Sequence, residues 1–209
     1  EQAANLVDAN TPIEEAREDG EEDEDTEYYM FHGAPCYMVN IMLDENDQVI
    51  RPAILWNDGR TEKEVDYLNN TVGKDCLSAR TGNIAFAGFT APKILWMRNN
   101  EPENFDRIAK IMLPKDYVNY RLTGVFSSDY SDASGTLLLD VAHKRWSDEM
   151  LQLCGIRPDQ MPQLFESFEV TGTLLPDVAE KLGLHQTVKV VAGAGDNAAA
   201  AVGRGAGSD

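Results

Sequence analysis

An aspartate standing where a strand runs through glycines into a helix is placed to take a proton, and residues 188–203, VKVVAGAGDNAAAAVG, carry one at Asp196. Val188, Val190 and Val191 read as a β-branched strand, Gly193-Ala194-Gly195 as the turn, and Asp196-Asn197 as the opening of an alanine-rich helix. In open α/β sheets ligands collect beyond the carboxyl ends of strands, which puts Asp196 on a ligand face. A carboxylate there can serve as general base toward a hydroxyl within hydrogen-bond reach. Asn197 beside it offers both a donor and an acceptor, suited to a polyol. The same residues also read as plain architecture, because Asp is a favoured helix N-cap and the glycines can serve turn geometry or the close approach of another backbone. Spacing by itself leaves both readings open.

Other groups offer chemistry over shorter spans. Trp56, Asp58 and Arg60 follow a strand pattern at alternate positions, so a ring and two charges can surround a small polar ligand, or Arg60 can pair with Asp58 and lock the turn. Lys93 and Trp96, three apart on a helical pattern, suit a packing pair with the lysine stem over the indole. Lys115 and Asp116 fall in the first turn of a predicted helix, while Asp129 and Asp132 read either as turn caps or as joint holders of a cation. His32, His143 and His185 are scattered, as are Cys36, Cys76 and Cys154, so neither a metal site nor a disulfide framework is expected and a reducing cytosol is the simplest setting. The chain has no P-loop, no GxGxxG after a strand, no HExxH, no GxSxG and no kinase HRD or DFG set. Those absences remove the familiar mononucleotide loop and any recognisable hydrolase nucleophile.

The scaffold that must hold these groups is legible as an α/β alternation. MVNIML, an acidic DENDQ turn and VIRPAILW suggest a hairpin from residue 38, with Pro52 at a strand start or edge. TEKEVDYLNN suits a solvent-facing helix, and Pro92 opens another with Ile94, Leu95 and Met97 packed on one side. Ile111-Met112-Leu113 is a short strand. Pro114 starts a helix stopped by Gly124, Ser147 caps one stopped by Gly155, and Pro176 opens one stopped by Gly183.

Charge narrows the partners. The 209 residues hold 36 acids and 18 bases, a net charge of -18, which argues against a phosphate-backbone surface and hence against nucleic acid as a partner. No stretch reaches the roughly 20 apolar residues that span a bilayer, and no secretory leader is recognised, so neither a membrane segment nor export is expected. Residues 1–27 carry twelve of the acids against Arg17 alone, and residues 1–37 are expected to be an acidic, disordered or atypical start, because little apolar surface offsets the entropy of ordering.

Six blocks in order, RPAILWNDGRT (51–61), GFTAPKILWMRNN (88–100), IMLPKDYVNYRLTG (111–124), SDYSDASGTLLLDV (128–141), MPQLFESFEVTGTL (161–174) and VVAGAGDNAAAAVG (190–203), resemble the N-terminal domain of FGGY carbohydrate kinases, xylulose kinases among them. Gly88, Thr90, Lys93, Trp96 and Asn99 match the family's G-x-T-x-x-K-x-x-W-x-x-N spacing. The resemblance implies an actin-like, ribonuclease H-like α/β fold of two domains with the sugar in the cleft between them, residues 38–205 being the truncated sugar-side domain and 206–209 a cut end. It implies ATP and Mg as cofactors, most of whose sites lie outside this chain, a ketopentose substrate, a cytoplasmic enzyme, and a homodimer as an open alternative in the full-length form. It implies Asp196 as general base and Asn197 as a sugar contact, in transfer of the ATP γ-phosphoryl to the 5-hydroxyl of D-xylulose. The family's Met-His-Gly, which helps hold the ketose, has a counterpart in Phe31-His32-Gly33, placed six residues further from Leu43-Asp44 than the family's spacing. Either residues 34–39 are an insertion and His32 and Gly33 contact the sugar, or Met38-Val39 occupies the equivalent places. No D-x-G-T phosphate loop occurs in the chain. A non-catalytic sugar-binding or interaction module on the same fold, or a kinase of another sugar, stands as the alternative.

Overall fold

The computed structural model describes residues 30–31, 34–35 and 40–205, so the expectations for His32, Gly33 and the acidic start lie outside the described residues. Two short strands, β1 (Met30–Phe31) and β2 (Ala34–Pro35), pair antiparallel. The next strand, β3 (Ile41–Leu43), departs from the expected hairpin. Its ladder is made antiparallel with β4 (Lys110–Met112), placing Ile41 opposite Met112 and Leu43 opposite Lys110. The acidic turn does reverse the chain, with the Asp44 carboxylate accepting from the Asn46 and Gln48 amides, but the returning segment contributes one bridge, Leu43 to Val49. Pro52 has no N–H to extend a ladder, and the neighbouring Arg51 turns to an ion pair with Glu101 at 2.9 Å. The apolar Lys-Ile-Met segment offers the better partner.

Helices fill one side of this pair. After α1 (Glu62–Asp66) the chain passes through a seven-residue π-helical stretch, Tyr67–Gly73, into α2 (Lys74–Thr81), which ends at Gly82 in the left-handed region. This segment is not simply solvent-facing as its charges suggest: Leu68 is fully buried, and Glu64 is buried because its Oε1 accepts from Asn99 Nδ2 at 3.1 Å. The packed helix α3 (Thr90–Asn100) starts ahead of Pro92, leaving the proline in the first turn where its missing N–H goes unneeded. Ile94, Leu95 and Met97 are buried, as their spacing predicts. A short α4 (Pro102–Asp106) then leads to β4.

The second half carries the predicted caps. α5 (Pro114–Thr123) stops at Gly124, β5 (Ser127–Asp129) runs directly into α6 (Tyr130–Ala133), and β6 (Leu139–Asp140) pairs with β7 (Arg145–Trp146). Ser147 accepts from the Met150 amide to start α7 (Asp148–Cys154), which ends at Gly155. β8 (Gln163–Phe165) lies parallel to β5, and β9 (Val170–Thr173) pairs antiparallel with β10 (Lys189–Val191) across α8 (Pro176–Leu182). The last helix, α9 (Asp196–Gly203), follows β10.

Strand β3 is buried on both faces, and its alternation divides the core. Met42 joins Leu68, Leu77, Ile94, Leu95 and Ile111 in the larger apolar cluster, whereas Ile41 and Leu43 join Ala53 and Met112 on the opposite face, with Tyr117, Tyr120 and Phe126 packed against them.

A lysine also lies inside. Lys93 of α3 is wholly buried and donates its ammonium to the Leu55 carbonyl. The cations over the Trp96 ring are Arg60, 4.9 Å from its centroid, and Arg51 at 5.9 Å. Burial pushes the Lys93 ammonium down to about 8, with Asp58 opposing and Arg60 adding to the shift. The unfolded chain therefore holds one more proton between about pH 8 and 10.5, so this residue makes stability rise with pH across that window. Between pH 8 and 9.5 the gain is expected to be about 2 kcal/mol, and Lys93→Met should flatten it, as read by urea unfolding at the two pH values.

Candidate functional site

The turn carrying Asp196 is held from two sides. Beyond β10 the chain passes Ala192, which is buried, and Gly193, whose φ of 78° is one that residues with a Cβ rarely adopt. From α5, Asn119 Nδ2 donates to the Val191 and Ala192 carbonyls at 3.0 and 3.2 Å, and Lys115 Nζ donates to the Ala192 carbonyl at 3.1 Å. From α6, the Ser131 hydroxyl accepts from the Gly195 amide at 3.0 Å. Both glycines permit close approach: a Cβ on Gly193 would lie 3.1 Å from Lys115 Cδ, and one on Gly195 would lie 3.3 Å from the Asp132 Cα.

The helix starts one residue off the capping reading. Gly195 is the N-cap and Asp196 is already the first helical residue, so its carboxylate does not take the capping position and instead accepts from the Asn197 amide at 2.8 Å. Asp196 and Asn197 are both exposed. An exposed carboxylate with a free lone-pair side, fixed at the mouth of a clamped turn, can accept a proton from a hydroxyl brought to it.

Beside this turn stand three more carboxylates. Lys115 Nζ lies 2.7 Å from Asp116, 3.0 Å from Asp129 and 3.9 Å from Asp132. Of the two sequence readings of Asp129 and Asp132, the structure bears out the cap, Asp129 capping α6 through the Ser131 and Asp132 amides, while both carboxylates face the Lys115 ammonium. Burial pushes Asp116 up against the opposing pull of Lys115. Burial also works on Asp129, but hydrogen bonds from Ser131 and Lys115 hold it below the usual carboxylate range. Lys115 itself is raised, the attraction of Asp116 and Asp129 outweighing burial.

Asp132 is the group left with too little compensation. Burial, together with the charges of Asp116, Asp129 and Asp196, pushes it up to about 6, with Lys115 opposing. A carboxylate raised in the folded state loses stability as the pH climbs from its unfolded value near 4 through the folded one, and the cost is complete above about pH 6. Asp132→Asn is therefore expected to stabilise the chain by about 1 to 2 kcal/mol at pH 7.5, after discounting for the partial exposure of the side chain. The gain should vanish near pH 4, where the folded wild type is already protonated; urea unfolding at both pH values checks it.

The Trp56–Arg60 segment forms a separate packing unit against α3. Asp58 accepts from the Arg60 amide at 2.9 Å and pairs with its guanidinium at 2.7 Å, which is the turn-locking arrangement, and Trp56 stays exposed. His143 pairs with Asp140 and His185 with Thr187 on the surface. Burial pushes the Cys154 thiol up to about 12, away from any nucleophilic role. Among the described residues no group of three or more His, Cys, Asp or Glu side chains is arranged to hold a metal ion, and the carboxylates beside Asp196 already share an ammonium. These residues do not by themselves make a magnesium site.

Sequence reading missed Lys115 as the centre of this group. A signal was present: a cation in the first turn of a helix opposes the macrodipole, and such a residue needs carboxylates nearby to be worth its place.

Comparison with known proteins agrees with the fold. Residues 38–203 match the profile of the FGGY family of carbohydrate kinases, N-terminal domain. The chain is 55% identical over 164 residues to the xylulose kinase of Escherichia coli K12 and 50% identical over 164 residues to that of Klebsiella pneumoniae, covering in each case 78% of this chain and 33% of the relative. Its structure superposes on the crystal structure of xylulose kinase from Rhodospirillum rubrum with a TM-score of 0.76 at 30% identity, over 80% of this chain and 34% of the other. The chain thus spans about one third of the length of the curated relatives it matches. The fold is the actin-like, ribonuclease H-like α/β class expected from the sequence, represented here by N-terminal-domain elements. Profile, identity and superposition coincide over the segment that carries Lys115, Asp129 and the Asp196 turn, and the chain belongs to the FGGY family of carbohydrate kinases.

Proposed function

We propose that this chain is the sugar-side part of a cytoplasmic kinase that transfers the ATP γ-phosphoryl group to the 5-hydroxyl of D-xylulose. The observation that carries the proposal is the 55% identity to a xylulose kinase across a segment whose Gly-Asp-Asn turn presents an exposed, clamped Asp196. Asp196 takes the hydroxyl proton as the oxygen attacks phosphorus, and Asn197 holds a neighbouring sugar hydroxyl. In such transfers most of the acceleration comes from positioning and from electrostatic stabilisation of the phosphates. ATP, with the magnesium ion that neutralises its phosphates, is held chiefly by residues outside 38–205, and His32 with Gly33 completes the sugar contacts. Residues 1–37 and 206–209 are flanks of this domain.

The test compares sugars on the full-length polypeptide containing this segment, with ADP release as the readout. D-Xylulose is expected to exceed ribulose, fuculose, gluconate and glycerol in kcat/KM by at least about 10-fold. Residues 1–209 alone are expected to give no turnover. Preference for another sugar would replace xylulose in the proposal, and xylulose phosphorylation by the isolated chain would overturn its division into two parts.

A further inference from the structure

The carboxylates near Asp196 come from two places, α5 (Asp116) and the β5–α6 junction (Asp129, Asp132), and one ammonium draws them together at 2.7, 3.0 and 3.9 Å. The same Lys115 ammonium donates to the Ala192 carbonyl at the exit of β10, and its stem closes over Gly193. A single side chain therefore ties the acidic group to the turn from which Asp196 departs. A second thread runs beside it. Ser131 Oγ donates to Asp129 Oδ2 and accepts from the Gly195 amide, the residue directly before Asp196. Asp129 Oδ2 is steadied in turn by the Ser167 hydroxyl at 2.9 Å. The position of Lys115 in the first turn of α5 opposes that helix's own dipole, so the residue serves something other than α5.

We propose that Lys115, acting with Ser131, is the positioning residue of the base turn: it sets where the Asp196 carboxylate stands against the reacting hydroxyl. This rests on the reading of Asp196 as the base. Without the ammonium, Asp116, Asp129 and Asp132 repel one another and Asp196, and the Ala192 carbonyl loses a donor. The turn then relaxes away from its clamped position. Misplacing a reacting group by about 1 Å can cost on the order of 100-fold in rate.

The test is a cycle in the full-length kinase. Lys115→Met is expected to lower kcat on xylulose by about 30-fold while KM for xylulose stays within about 3-fold, and Lys115→Arg, which keeps the charge, should recover kcat to within about 5-fold of wild type. On an Asp196→Asn background Lys115→Met should add less than about 3-fold, because no base remains to be placed. An undiminished loss on that background overturns the proposal by making Lys115 merely structural. A KM rise of about 10-fold with kcat intact also overturns it, by making Lys115 a ground-state sugar ligand. Should Lys115→Met fail to fold, Ser131→Ala carries the same cycle: about 5-fold lower kcat alone and no added loss with Asp196→Asn supports the proposal, and equal losses in both backgrounds defeat it. A near-normal kcat for Asp196→Asn by itself removes the base reading, and this proposal with it, through a variant that leaves Lys115 untouched.

Discussion

Asp196→Asn is expected to lower kcat on xylulose by about 1,000-fold in the full-length kinase, within the 100- to 10,000-fold range typical of a lost general base. The substitution is nearly isosteric, and the new side-chain oxygen can still accept from the Asn197 amide as the carboxylate does at 2.8 Å. The residue is exposed at the first position of α9, so stability should move by no more than about 0.5 kcal/mol. Asn cannot take the hydroxyl proton, and the loss should fall on kcat and kcat/KM together with KM for xylulose little changed. Steady-state kinetics beside a melting curve distinguishes this from damage to the fold. A kcat within a few-fold of wild type would make Asp196 a sugar contact or a structural residue.

Asp129→Ala should be the most damaging single change to stability in this part of the molecule, at about 3 to 5 kcal/mol, because it removes a buried acceptor and leaves the Ser131 amide, the Ser131 and Ser167 hydroxyls and part of the Lys115 ammonium without it. Asp129 is fully buried. It accepts from the Ser131 amide at 2.9 Å and the Ser167 hydroxyl, and pairs with Lys115 at 3.0 Å. Alanine would therefore cost the α6 cap, the link to β8's following turn and one of the carboxylates paired with Lys115 at once. Asn, which keeps the shape and one acceptor, should cost less. The pH dependence has a definite sign. Asp129 titrates below the usual carboxylate range when folded, so its contribution is complete above the unfolded value near 4 and fades as the pH falls through the folded one. The gap between wild type and Asp129→Ala in urea unfolding should be full at pH 7 and shrink below about pH 4.

Local chemistry made much of this fold legible. Pro114 and Gly124, Ser147 and Gly155, and Pro176 and Gly183 bracket helices where expected because caps and stops depend on residues within a turn of one another. Partners distant in sequence were not legible. The ladder of Ile41–Leu43 lies with Lys110–Met112 because burial on both faces needs an apolar partner, and nothing in the hairpin-like spacing of residues 38–56 excludes the nearer choice. Glu64 reads as solvent-facing until Asn99 is seen to receive it. At the site, Asp196 and Asn197 stand out through the glycine turn, whereas the gathering of Asp116, Asp129 and Asp132 depends on α5 and the β5–α6 junction meeting around Lys115, a three-dimensional fact with only an unfavourable dipole as its trace in one dimension.

The pairing of β3 with β4 also orders events during synthesis. Their residues are roughly 70 positions apart, so the closing loop contains α1 through α4 and its entropy must be met before the ladder gains anything. On the ribosome, Ile41, Met42 and Leu43 emerge as an apolar segment whose ladder partner is missing until residue 112 has left the exit tunnel. Throughout that interval the nascent chain presents an unpaired strand edge of the kind that recruits chaperones or a neighbouring copy.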